Sequence, residues 1–109
     1  MNSRQKGARG EREWAEYLRD NGYTARRGQQ FSGGSESPDV VCQELSWLHW
    51  EVKRVERLNL SNACEQAAED AGPSKRWAVA HRANGEGWLV TVPAELMMLL
   101  LRQYEPTEL

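Results

Sequence analysis

The run Ser37-Pro38-Asp39-Val40-Val41, followed by Trp50-Glu51-Val52-Lys53, decides how this chain folds. Three ionisable groups, Asp39, Glu51 and Lys53, stand inside otherwise apolar, β-forming sequence. An unpaired ion buried in a sheet costs several kcal/mol, so the cluster calls for compensation, and a divalent metal suits it. Residues 40–42 read as one short strand and residues 47–53 as a second, with residues 43–46 turning between them. Period-two alternation puts Trp47, His49, Glu51 and Lys53 on one face and Leu48, Trp50 and Val52 on the other. Pairing Asp39 opposite Glu51 brings both carboxylates to one side of the hairpin, at about 5 Å between opposed Cβ atoms. Two hard oxygen ligands that close suit Mg²⁺ or Mn²⁺. From Glu51 and Lys53 alone, a surface hairpin with a cross-strand charge cluster would be the ordinary reading; a third carboxylate changes it.

That carboxylate is Glu11. A helix is predicted over residues 6–21, with Gly7, Glu11, Trp14 and Leu18 on one stripe and Gly22 as its stop. Arg12, Glu13, Glu16, Arg19 and Asp20 form the solvated face. An acid therefore holds a position where a hydrophobe is expected. A favourable contact with the helix dipole is its plainer explanation.

Lys6-Gly7, Glu11-Arg12, Arg27, Ser32-Gly33, Pro38-Asp39, Glu51-Val52-Lys53 and Glu65-Gln66-Ala67 occur in that order. Over about residues 4–93 the set resembles the archaeal-type Holliday-junction resolvases of the PD-(D/E)XK nuclease superfamily, which has small phage and bacterial relatives. The resemblance implies an α/β fold, a restriction-endonuclease-like mixed β-sheet flanked by α-helices. It implies a Mg²⁺-dependent endonuclease, with Mn²⁺ as a substitute, that cuts four-way DNA junctions to leave a 5′-phosphate and a 3′-hydroxyl. The residues carried over are Glu11, Asp39, Glu51, Lys53 and Gln66 as catalytic. Glu11, Asp39, Glu51 and the Val52 carbonyl are implied as metal ligands, with Lys53 orienting or activating the attacking water. Two rivals stay open: another superfamily nuclease that nicks or processes flaps, and a catalytically silent DNA-binding dimer.

The formal net charge of -2 and pI of about 5.7 are unusual for a protein that holds phosphates. The distribution is more favourable, because Arg4, Lys6, Arg9, Arg12, Arg19, Arg26 and Arg27 crowd the first quarter. The predicted DNA contacts are Lys6, Arg9, Arg12, Arg26, Arg27, Gln30, Ser32 and Arg54. Residues 28–36 form a Gly/Ser/Gln loop beside the acidic cluster, where binding groups often sit. Cys42 and Cys64 are too few for a disulfide framework. No stretch approaches the roughly 20 apolar residues of a membrane span, and no charged-then-apolar leader opens the sequence. The chain reads as cytoplasmic, in a host cytoplasm if phage-encoded.

The remaining elements follow from pattern. Residues 23–27 make a strand; Ser61 or Asn62 caps a helix running to Ala71, with a small face of Ala63, Ala67, Ala68 and Ala71 and with Gly72-Pro73 closing it. Residues 76–81 and 87–92 alternate as strands around an Asn84-Gly85 turn. Trp14, Trp50, Trp77 and Trp88 are assigned to the core and Trp47 to a partly exposed position; His49 and His81 read as structural. A helix beginning at Pro93 carries Leu96, Met97, Met98, Leu99, Leu100 and Leu101, apolar nearly all round, and points to a homodimer. Residues 1–104 are expected to form one nuclease domain and residues 105–109 an acidic tail.

Overall fold

The computed structural model describes residues 3–28 and 39–106, with side chains from Gly7 onward. Gln30, Ser32 and the Lys6 side chain, three of the expected DNA contacts, lie outside the described residues. Helix α1 spans Ser3–Asp20, beginning three residues earlier than its apolar stripe suggests. It stops where Gly22 takes a φ of 92°, a left-handed conformation that a side chain would strain. Strand β1 (Ala25–Arg27) leads to β2 (Val40–Cys42), and a 3₁₀ turn at Gln43–Leu45 connects to β3 (Leu48–Arg54). Helix α2 (Leu60–Ala71), β4 (Arg76–Arg82), β5 (Leu89–Thr91) and α3 (Ala94–Leu101) complete the order.

The five strands form one mixed sheet in the order β1-β2-β3-β4-β5. Every pairing is antiparallel except β3 with β4, which run parallel from Leu48↔Arg76 to Arg54↔Arg82. A parallel pair needs a crossover, and α2 supplies it. The sheet and helices are those of the expected α/β architecture.

Both faces of the sheet are covered. On one, Trp14, Ala15 and Leu18 of α1 pack with Ala25, Val40, Cys42, Trp50, Val52, Ala78 and Ala80. Trp14 is the centre of an aromatic group, with ring centroids 5.0 Å from both Trp50 and Trp88. On the other face, Ala63 and Ala67 of α2 pack on Val79, with Leu58, Cys64 and Trp77 at the margin. Small residues on α2 let the helix lie close to β4 and to β3, the strand that carries both Glu51 and Lys53.

Several local expectations shift. The cap of α2 is Asn59, whose side chain accepts from the Asn62 N–H at 3.1 Å, so the helix starts before Ser61. Ala68 faces solvent, while Ala63, Ala67 and Ala71 are buried. Trp77 and Trp88 are half-buried at the core's edges and Trp47 is exposed. Gly7 is exposed; the buried glycine of α1 is Gly10, where an added Cβ would meet the Arg54 Cβ at 2.9 Å. That close approach sets α1 against β3. In α3 only Leu96 is buried, and Met97 to Leu101 are all exposed.

Candidate active site

The hairpin of β2 and β3 positions the first pair of acids. Val40 is registered with Trp50, and the Asp39 N–H donates to the Trp50 carbonyl at 3.2 Å, so pairing continues through Asp39. Asp39 therefore stands opposite Glu51, the register that brings the two carboxylates together. Its Oδ2 accepts the Val52 N–H at 2.8 Å, which fixes the carboxylate at the open end of the strand pair. Burial, reinforced by the neighbouring Glu51 and Glu11 carboxylates, pushes the Asp39 carboxyl up to about 7, against the opposing pull of the Val52 N–H and Lys53. The acids are thus packed more densely than the nearby cations offset.

Glu51 is 3% exposed, and its two oxygens face different neighbours. Its Oε2 lies 3.5 Å from Lys53 Nζ, and its Oε1 lies 3.7 Å from His49 Nε2. Lys53 Nζ also donates to Gln66 Oε1 at 3.3 Å, so α2 places an amide over the Glu51–Lys53 strand. Glu11 enters from α1 on the opposite side of the sheet, buried at 6% exposure. Its Oε1 accepts from Arg27 Nε at 2.7 Å. Asp39, Glu51, Lys53, Gln66 and Glu11 thus form one neighbourhood, in which the fields of Glu51, Glu11 and Lys53 all act on Asp39.

The basic residues divide into two groups. Arg9, Arg12, Arg19, Arg26 and Arg27 line one groove between α1 and β1, interrupted by Glu13 and Glu16. Arg9, Arg12, Arg26 and Arg27 were expected contacts; Arg19 reads from sequence as an ordinary helix-surface residue, although it shares the Arg12 side of α1. Arg54 behaves differently. Its side chain is 10% exposed and its Nε donates to Glu13 Oε1 at 2.8 Å, an interior ion pair that ties β3 to α1. Five arginines thus share one groove in a protein of net charge -2.

Sequence reasoning missed Asp70, which lies on α2 within reach of His49 and Glu51. Its carboxyl is raised above the usual range by burial, and further by Glu51. The signal available was helical spacing: Asp70 follows Ala63 and Ala67 on the face that meets the sheet. His81, by contrast, is structural, its Nε2 2.9 Å from Thr91 Oγ1 across the β4–β5 pair. Among the described residues, no helix is long and apolar enough to cross a membrane.

The model of the archaeal Holliday junction resolvase (Hjc) family matches residues 2–99. The fold is similar to that of the Hjc Holliday junction resolvase of the hyperthermophilic archaeon Archaeoglobus fulgidus, with a TM-score of 0.58 and 27% identity over 94% of this chain and 79% of that one. No curated protein sequence matches this chain. The ordered motif pieces and the mixed sheet with its flanking helices agree with these matches, and the chain belongs to the archaeal Holliday junction resolvase family.

Proposed function

We propose that this protein is a Mg²⁺-dependent, structure-selective endonuclease that resolves four-way DNA junctions by paired phosphodiester hydrolysis. The observation that carries the reading is the Asp39–Glu51 pairing beside Lys53, in a chain of the resolvase family. The donor set fits the ion: hard carboxylate oxygens, with an Asp39 carboxyl raised to about 7 by burial and, beyond that, by the Glu51 and Glu11 carboxylates, whose repulsion a cation would relieve. Asp39, Glu51, Glu11 and the Val52 carbonyl would hold Mg²⁺, with Mn²⁺ as a substitute. When bound, the ion supplies charge stabilisation at the phosphoryl group and lowers the pKa of an attacking water.

The protein's own groups do the rest. Lys53, steadied by Gln66 and Glu51, orients the attacking water and offsets charge that develops on the scissile phosphate. Arg27 balances Glu11 and, 41% exposed, stands where the arginine groove reaches the acidic centre. Arg9, Arg12, Arg19 and Arg26 hold backbone phosphates without reading bases, which suits recognition by DNA shape. Arg54, committed to Glu13, contributes by anchoring α1.

Resolution requires two opposed cuts, and a homodimer supplies two sites related by a two-fold axis. The exposed residues Met97, Met98, Leu99, Leu100 and Leu101 of α3 support a second copy as the covering surface. Cleavage of a synthetic junction, compared with linear duplex, flap and nicked duplex, tests the reading. Equal rates on all four would favour a general nicking nuclease.

A further inference from the structure

Beside the nuclease centre lies a second constellation that the proposed hydrolysis does not use. His49 is 2% exposed, and its Nε2 makes no hydrogen bond among the described residues. A buried ring nitrogen without a partner is unusual, because the lost hydration is not replaced. The nitrogen is aimed at Glu51 Oε1, 3.7 Å away and beyond hydrogen-bond distance. Asp70 approaches from α2, so that one donor atom from each of His49, Glu51 and Asp70 lies within 4.8 Å of the other two.

We propose that His49, Glu51 and Asp70 form a second cation site, specific for a divalent ion of the zinc class, with Glu51 shared between it and the nuclease centre. Zinc takes imidazole and carboxylate ligands at about 2.0–2.2 Å, which spaces tetrahedral donors by about 3.4 Å, close to the separation of His49 Nε2 from Glu51 Oε1. The imidazole sets this site apart from the neighbouring one. Nitrogen ligation favours zinc and other late first-row ions, whereas the all-oxygen set around Asp39 suits Mg²⁺. Glu51 can serve both because its oxygens are turned apart, Oε1 toward His49 and Oε2 toward Lys53. The fold explains the convergence: His49 and Glu51 are alternate residues on one face of β3, and α2, the crossover that makes β3 and β4 parallel, covers that face. Asp70, one turn beyond Gln66, extends the contact that Gln66 makes with Lys53.

Zinc binding to the full chain without DNA tests the proposal independently of nuclease activity. Equilibrium dialysis of the metal-stripped protein against Zn²⁺, with excess Mg²⁺ present, should yield one tightly held zinc ion per chain. His49→Gln and Asp70→Asn should each weaken that binding at least about tenfold, and Asp39→Asn should leave it unchanged. Asp70 is only partly buried on α2, so its variant decides the matter if His49→Gln fails to fold by circular dichroism. Absence of stoichiometric zinc in the wild type would overturn the site, as would wild-type affinity in the folded variants. Equal loss in Asp39→Asn and Asp70→Asn would also overturn it, because the ion would then sit in the nuclease centre. Failure of any of these leaves junction cleavage in Mg²⁺ unaffected as a separate result.

Discussion

The Val52 N–H donates to Asp39 Oδ2 at 2.8 Å, so the backbone between Glu51 and Lys53 holds the aspartate that stands opposite Glu51. One hydrogen bond thereby joins both strands of the acidic centre. The same contact lowers the Asp39 pKa, yet burial and the two neighbouring glutamates outweigh it and carry the carboxyl to about 7.

That imbalance predicts a pH signature in the metal-free protein. Asp39 binds its proton more tightly folded, at about 7, than unfolded, at 3.8, so the folded state holds more protons between those values. Stability should therefore fall as pH rises through that window. Asp39→Asn should stabilise the metal-free protein at pH 8 by on the order of 1–2 kcal/mol, less than the full shift implies because Asp39 is half-buried. The difference should vanish near pH 4. Urea denaturation in chelator measures it, and a pH-independent difference would contradict the electrostatic account.

Glu11 makes a separable prediction. Glu11→Gln should impair cleavage or shift its metal requirement, while stability changes by less than about 1 kcal/mol because Arg27, 41% exposed, can turn to solvent. Cleavage rates in Mg²⁺ and Mn²⁺ alongside thermal melts decide it. Unchanged activity with lowered stability would make Glu11 a helix residue only.

Two glycines of α1 should respond oppositely. At Gly10 a new Cβ would meet the Arg54 Cβ at 2.9 Å, a contact between atoms fixed to two backbones. Gly10→Ala should cost about 1–3 kcal/mol and, by displacing Glu11, slow cleavage. Gly7, where a new Cβ would have nothing within 4 Å, should gain about 0.5–1 kcal/mol on substitution by Ala. Denaturation midpoints of the pair provide the check, and matching shifts would refute the close approach of α1 to β3.

A charge on α3 tests the dimer. Met98 is 55% and Leu100 45% exposed. Met98→Glu or Leu100→Glu should yield monomers by light scattering that nick one strand of a junction without the paired second cut. A wild-type monomer at micromolar concentration would overturn the dimer.

Much of this geometry was legible because it rests on local periodicity. Alternation in residues 47–53 fixes the common face of Glu51 and Lys53, whereas the pairing of Asp39 opposite Glu51 is only one register open to the sequence until the β2–β3 ladder settles it. Glu11 betrayed itself by interrupting an apolar stripe. What stayed hidden depends on how elements cross. Arg54 looked like a DNA contact, yet the approach permitted by Gly10 brings it to Glu13. Asp70 meets His49 only because α2 lies across β3, a packing angle that no single element encodes. The α2 cap reads from sequence as Ser61 or Asn62, yet Asn59, an equally competent capping residue, takes the role.

The most direct measurement is cleavage of an end-labelled four-way junction in Mg²⁺ by wild type and Lys53→Ala. The account predicts paired, symmetrically placed cuts by the wild type, absent on linear duplex. It predicts a rate lower by about 10²-fold or more in Lys53→Ala, with junction binding retained. Wild-type cleavage without preference for the junction, or near-normal turnover by Lys53→Ala, would contradict it.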